Sequence, residues 1–445
     1  MLSEEGRDRT SSAYKEAEHW PPYTYRDYPS VTPRTLQSFM DFLGLENTSS
    51  EKKELQPWIP FCDSLCTFCY FPVETYHNEK IETYLASLKR ALKMYAETRY
   101  ARSSEFEEVY FGGGSPNILS SEQIIELLTY CEKNFNISKN RMIKISGCTQ
   151  NFDEKKLKSI SDHGVNQADI GIQTLDNSIR RMLNLRDDAT KAESVIKNAR
   201  RLGLYVSIDL IYNLPGQTMQ VWENDIKKAL ELEVESVDCY PLDVYPDTPL
   251  AKQIRSGKVP PMGNSDTEIK MYLKAYKMFT EAGYMPTCHN RFSRINEDFD
   301  DPCFEILGTG SGFFMGYLGK YSYMDIEPVE EYINLVGRGS FPISKLFVSS
   351  KEDEMKKMMM RLYIRLPVDR YEFQKRFGKL PEDVFPTVIN KLKKRGVIEV
   401  NDRDLKLTKL GDIWRFNIAQ DFGLQVKPNM MKKKASRSQT KKNIL

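Results

Sequence analysis

The chain has 445 residues, a formal net charge of +2, 40% hydrophobic residues and eight cysteines. That length gives room for two or three domains, and the balanced charge argues against a dedicated nucleic-acid binder. No run of eighteen apolar residues is present to span a membrane.

In chain order, residues 1–50 read as an irregular extension. The stretch HWPPYTYRDYPSVTP is rich in proline, which fixes φ and lacks a donor. The polar start, MLSEEGRDRT, has no apolar leader, so a reducing cytoplasm is expected, where clustered cysteines bind metal or do redox chemistry more often than they form disulfides. Residues 51–325 then repeat strand, loop and helix. The strand-like runs are LQPWIPF, EVYFGGG, RMIKISG, QADIGIQ, LYVSIDLIY and VESVDCYPL, separated by stretches of helical period such as EKIETYLASLKRALKMYAETRY. This alternation predicts an α/β fold, a partial (β/α)6 barrel with a parallel sheet and right-handed crossovers. Ligands of such barrels sit at the C-terminal ends of the strands.

Residues 326–426 change character. Helical stretches precede a short hairpin, GVIEV and LKLT about a turn at Asn401–Asp402, which predicts a smaller helical, winged-helix-like domain. It is charge-mixed and lacks a basic recognition face, so it is expected to cover the barrel mouth. Met358, Met359 and Met360 are consecutive on a helix and point in different directions, which suits core filling. Residues 427–445 form a basic tail, read as disordered and solvated.

The residues that carry chemistry fall at the predicted strand ends. PWIPFCDSLCTFCYF places Cys62, Cys66 and Cys69 in one loop after the first strand. Structural zinc takes four ligands, usually as two pairs. Here Cys131, Cys148, Cys239, Cys288 and Cys303 stand alone, and the nearby histidine is His77. Three thiolates in a short loop suit an iron–sulfur cluster with one iron left open. YFGGGSPN ends the second strand in glycines, which serve either close backbone approach to a ligand or a tight turn. Gln173 ends the fourth strand and Asp209 lies in the fifth. A buried amide or carboxylate is costly unless paired, so each bonds a backbone or helix end, or meets a substrate.

The spacing Cys62-x3-Cys66-x2-Cys69 resembles the signature of the radical S-adenosylmethionine (SAM) enzymes. From about residue 54 to about 422 the chain resembles their oxygen-independent coproporphyrinogen oxidase family, through Cys62, Cys66, Phe68, Cys69, Gly113, Gly114, Ser115, Gln173 and Asp209. The resemblance implies a [4Fe-4S] cluster on the three cysteines, with SAM chelated at the open iron. It also implies a second SAM lined by Phe68, Gly113, Gly114, Ser115, Gln173 and Asp209, with Gln173 and Asp209 serving catalysis. Arg186 lies one place from the family's arginine. Four positions depart from the family: Phe71 replaces a further cysteine, Gln56 a tyrosine, Ser146 a glutamate and Leu185 that arginine.

FEILGTGSGFFMGYLGKYSYMDIEPVEEYI (residues 304–333) and WRFNIAQDF resemble the anaerobic haem-degrading branch, the anaerobilin synthases. What that implies is a radical SAM methyltransferase with haem as substrate and a reduced flavodoxin- or ferredoxin-type electron donor. An adenosyl radical takes hydrogen from the second SAM's methyl, the carbon adds to a porphyrin meso position, the ring opens and iron is released. His289 and Arg291, in CHNRFSR, are the expected contacts to haem iron and propionate. A haem-trafficking chaperone of the same branch is the rival reading, and a radical methyltransferase with another substrate is the third.

Overall fold

The computed structural model describes residues 28–75, 78–288, 290–294 and 302–423. His289, the first 27 residues and the basic tail lie outside the described residues. Two compact units are present, one spanning Tyr28–Ser350 and the other containing Lys351–Gly423.

All six expected strands form. They are β1 (Lys53–Ile59) and, beyond the short β2 (Phe61–Cys62) and β3 (Glu74–Thr75), β4 (Phe106–Gly113), β5 (Ile137–Cys148), β6 (Gln167–Gln173), β7 (Tyr205–Tyr212) and β8 (Ser236–Pro241). They pair in parallel in that order, with helices such as Asn78–Ala96 and Ser121–Asn134 in the crossovers. The sheet does not close. Beyond β8 come β9 (Met285–Pro286) and β10 (Arg291–Ser293), with β10 antiparallel to β8. Beyond β1 come β11 (Glu305–Thr309), β12 (Gly316–Leu318), β13 (Tyr321–Asp325) and β14 (Ile343–Val348).

Period-two alternation gives the sheet two unlike faces. Leu55, Phe111, Ile145, Ile170, Ile208 and Val237, one per strand, are fully buried on the apolar face. Each contributes about 1.5–3 kcal/mol relative to exposure. The alternate residues are polar or charged: Glu54, Glu108, Lys144, Asp169, Asp209 and Asp238.

The residues expected to be irregular contain a helix, Pro33–Leu43. Thr32 Oγ1 accepts the Thr35 N–H at 3.1 Å, and Thr35 Oγ1 accepts the Thr32 N–H at 2.9 Å, so the helix opens on a reciprocal cap. Pro33 stands at the first helical position, where a missing N–H costs nothing. The expected boundary at 325/326 falls inside the sheet, because β14 pairs with β13 and carries the first unit to Ser350.

In the second unit β15 (Val368–Asp369), β16 (Ile398–Val400) and β17 (Asp404–Leu407) form an antiparallel sheet in the order β15-β17-β16. Asn401 Oδ1 accepts the N–H groups of Arg403 and Asp404 at 2.8 and 2.7 Å, which makes the predicted turn. Met358 and Met359 are buried, as expected of core residues.

Candidate active site

The cysteine loop leaves β1 and is closed at its base by the parallel pairing of β2 with β3. Two distant segments pin it with three bonds. The Thr67 N–H donates to Leu183 O at 3.0 Å, the Leu250 N–H donates to Thr67 O at 2.8 Å, and Asn184 Nδ2 donates to Leu65 O at 2.8 Å. From β4, the Gly114 and Ser115 N–H groups donate to Ile59 O and Phe61 O, both at 2.8 Å. A Cβ on Gly114 would stand 2.6 Å from Phe61 O and 2.8 Å from Cys62 Sγ. Gly113 has φ +125°, and a Cβ there would collide with Ile59 O. Both glycines are thus fixed by the approach of β4 to the cysteine loop.

The three thiols are free. Burial pushes Cys62 up to about 12 against the Ser115 hydroxyl, and it pushes Cys66 up to about 12 with help from Cys69 and Cys62. Burial also raises Cys69, and a bound cation would favour the thiolate forms. A single tetrahedral zinc would draw its thiolates to roughly 3.8 Å from one another. Among the described residues, the trio of ligand atoms all within 4.8 Å of one another is Glu54, Glu108 and Cys303, so the loop cysteines are not drawn together as a zinc site would draw them. Their spread, their thiol chemistry and the glycine strap fit a multi-iron cluster. Glu108 of the tight trio is already ion-paired, to Lys52 at 2.7 Å and to Lys144.

Gln173 has φ +69°, and its neighbours Ile172 and Thr174 are bridged by a 2.8 Å bond from Thr174 N–H to Ile172 O. That is the rarer, strained form of the γ-turn, worth about 1–3 kcal/mol of strain. Buried Arg180 holds it, donating from one nitrogen to Ile172 O and Thr174 O, each at 2.9 Å. Asp225 secures the next turn through Thr174 Oγ1 at 2.8 Å and the Leu175 N–H at 2.7 Å. The turn sends the amide back over Gly171. A Cβ on Gly171 would lie 2.8 Å from Gln173 Nε2 and 4.0 Å from Asp209 Oδ2. Gln173 and Asp209 therefore converge on one patch of the polar face. The Asp209 carboxyl is pushed well up, by burial first, then by Asp238 and Asp169, with Arg291 opposing. A cationic ligand beside it would restore its charge.

The other expected site residues are more scattered. Phe68 packs with Leu185 against an apolar cluster that includes Ile179, Leu183 and Ile211. Leu185 thus replaces the family's arginine with apolar packing, while Arg186 is exposed. Arg291 was expected in a loop but lies in β10. Its Nε and one terminal nitrogen donate to Asp238 Oδ2 at 3.0 and 2.8 Å, so its charge already has a partner. Gln56 bonds Glu54, Ser146 donates to Phe111 O at 3.2 Å, and Phe71 stacks on Phe314 at 5.5 Å. Gly308, Gly310 and Gly312 lie against Phe313, Trp58 and Pro72, where a Cβ would collide. Their first role is packing. Sequence reasoning missed Asp169 and Asp238, which bear on Asp209, although both sit two residues from other inward-facing positions on their strands.

A parallel sheet with a three-cysteine loop at the end of its first strand and a glycine strap from its second defines a radical SAM core. The family model of the radical SAM superfamily matches residues 57–229, and that of the HemN C-terminal domain matches residues 349–413. The chain belongs to the radical SAM superfamily, in its HemN-like family. It is similar to anaerobilin synthase of Escherichia coli O157:H7, 25% identical with 88% of each chain covered. It is also similar to the heme chaperone HemW of Bacillus subtilis, 26% identical over 80% of this chain and 95% of that one. Coproporphyrinogen III oxidase (HemN) from Escherichia coli shares the fold, with a TM-score of 0.80, 19% identity, and 92% of this chain and 97% of that one covered. The family implies a [4Fe-4S] cluster and SAM. Among the described residues, no helix is long and apolar enough to cross a membrane.

Proposed function

We propose that the chain is a cytoplasmic radical SAM methyltransferase that opens haem without oxygen, adding a SAM-derived carbon at a meso position and releasing iron from a linear tetrapyrrole. The observation that carries this reading is the strained turn at Gln173 beside Asp209. Strain of this kind persists where the surrounding structure over-determines it, and it clusters at ligand clamps. A haem carrier has no use for a clamp on a methyl donor. The likeness to anaerobilin synthase over 88% of both chains supports haem as the substrate.

In this reading Cys62, Cys66 and Cys69 hold the cluster, which when bound supplies the electron that cleaves SAM. A reduced flavodoxin- or ferredoxin-type protein delivers that electron. Gln173 and Asp209 orient the second SAM, with Phe68, Gly113, Gly114 and Ser115 along its other side and Arg186 at its edge. The Asp209 carboxylate favours a sulfonium over a neutral ligand, because the cation relieves its repulsion with Asp169 and Asp238. Phe71, Phe314 and Trp58 form an apolar ledge beside the cysteine loop that keeps water from the reacting carbon.

The test is anaerobic incubation of the reduced, reconstituted protein with haem and methyl-deuterated SAM. Loss of the Soret band, deuterium in 5′-deoxyadenosine and a tetrapyrrole carrying a SAM-derived carbon are expected. Haem bound with an unchanged spectrum would favour the chaperone reading, which the likeness to HemW over 95% of its length supports. SAM cleavage that leaves haem untouched would point to a methyltransferase for another substrate. Bleaching that proceeds equally well without SAM would sink the proposal.

A further inference from the structure

We propose that the polar face of the large sheet carries a water-bridged proton relay, running from Glu54 and Glu108 at the N-terminal ends of their strands to Asp209 at the site. The inference rests on the proposed haem opening, which sets the need for protons. When iron leaves the tetrapyrrole, its bonds to the two anionic pyrrole nitrogens break and two N–H bonds form. Two protons enter for each iron, and no electron moves in that exchange.

The relay starts near solvent. Lys52 Nζ, on a side chain that is 20% exposed, lies 2.7 Å from Glu108 Oε1, and Lys144 bonds the other oxygen of that carboxylate. Glu54 stands opposite Glu108 across β1 and β4, with one oxygen of each carboxyl group within 4.8 Å of the other. Gln56, next along the same face, donates to Glu54. Lys144 stands opposite Gln167 across β5 and β6, and Gln167 Nε2 donates to Asp169 Oδ1 at 2.7 Å. Asp169 is opposite Ser207, which lies two residues before Asp209 on the same face of β7. Ser207 Oγ reaches Asp238 Oδ2 at 3.4 Å, and Ser236 is its neighbour on β8.

Three buried atoms on this face point to what joins the bonded pairs. Among the described residues, no protein group bonds Gln56 Oε1, Gln167 Oε1 or Ser236 Oγ, and the three side chains are at most 2% exposed. Their chain neighbours Leu55, Ala168 and Val237 are fully buried on the apolar face, so all three polar groups turn to the inner side of one sheet. A buried polar atom is costly to leave unbonded, and water in a polar interior supplies the missing bonds. Waters at these atoms link the pairs into one column, because a bridging water is nearly as good as a direct hydrogen bond. Glu54, Glu108 and Asp169 are the groups along it that hold a proton in transit. Gln56, Gln167 and Ser236 anchor the water between them.

Three variants test the relay: Ser236→Ala, Gln167→Leu and Glu54→Gln, each reconstituted with iron and sulfide. In a single anaerobic turnover with haem and SAM, 5′-deoxyadenosine should form at the wild-type rate. Capture of the released iron by a chelator should slow about tenfold or more, with a larger solvent deuterium isotope effect than the wild type shows. Unchanged iron release in all three variants would refute the relay. Equal losses of deoxyadenosine and of iron release would refute it too, since that is what a purely structural role gives. A crystal structure of the wild type tests the column without any substrate. Ordered water should lie within hydrogen-bond distance of Gln56 Oε1, Gln167 Oε1 and Ser236 Oγ, and a dry interior at those atoms would overturn the proposal. A wild type that binds haem and leaves it whole would overturn the proposed function itself, and with it the need for the relay.

Discussion

Replacing Gly114 with alanine tests the link between β4 and the cysteine loop. The added Cβ would lie 2.6 Å from Phe61 O, so the Phe61–Cys62 segment must retreat about 0.8 Å to reach an ordinary contact of 3.4 Å. The Ser115 N–H to Phe61 O bond, 2.8 Å in the wild type, would then stretch to roughly 3.6 Å and cease to be a hydrogen bond. That loss costs about 1 kcal/mol, and overpacking adds about 1–3 kcal/mol. A total of roughly 2–4 kcal/mol lies below the usual 5–15 kcal/mol of a folded domain, so the chain still folds. Cys62, which follows Phe61, is displaced by more than the ~0.5 Å that a preorganised site tolerates. Iron and sulfide analysis after anaerobic reconstitution should show cluster content falling to about half or less, with near-native circular dichroism. Gly337→Ala, where nothing stands within 4 Å of the new Cβ, is the matched control. Full cluster content in Gly114→Ala would refute the reasoning.

Gln173→Gly should separate strain from function. It relieves the turn and raises stability by about 1 kcal/mol in urea titration, yet deoxyadenosine formation coupled to methyl transfer should fall at least about tenfold. Asp209→Asn should likewise keep its iron and lose methyl transfer, and wild-type turnover in either variant would remove that residue from the site. Arg180→Leu leaves the carbonyls around Gln173 without their donor and should cost roughly 2–4 kcal/mol in a denaturant midpoint shift. Glu54 predicts a pH effect. Burial first, then Glu108, raises its carboxyl from 4.5 to about 8. The folded state therefore keeps a proton that the unfolded chain has lost, and this group's contribution to stability declines as pH rises from about 4.5 to about 8. Glu54→Gln should gain on the wild type between pH 5 and pH 9 in denaturant midpoints, and a constant difference would contradict the buried-carboxyl account.

The six central strands were legible because each pairs an apolar face with polar alternates, as in Ile170 and Ile172 against Asp169 and Gln173. Pro33 misled because proline reads as a breaker, whereas at the first helical position it starts a helix. Strands β11 to β13 were hidden by glycines, whose reason lies in what they touch. Gly310 yields to Trp58, and Gly316 to Tyr323. Within the site, the loop cysteines announced themselves by spacing, and Gln173 and Asp209 by their place at strand ends. Arg291 looked free because its partner Asp238 is brought beside it only by an antiparallel strand at the sheet edge.

The pins on the cysteine loop also set an order of assembly. Thr67 is tied to Leu183 and Leu250, and Leu65 to Asn184, so the loop takes its shape only after chain far beyond it has been made and folded. Contacts of such long sequence separation form late, because loop-closure entropy must be met first. Iron offered to the nascent chain would find three thiols on a coil with no common geometry. On the proposed ligation by Cys62, Cys66 and Cys69, insertion of the cluster belongs after the chain has been made at least as far as Leu250, and its timing follows from the same hydrogen bonds that shape the loop.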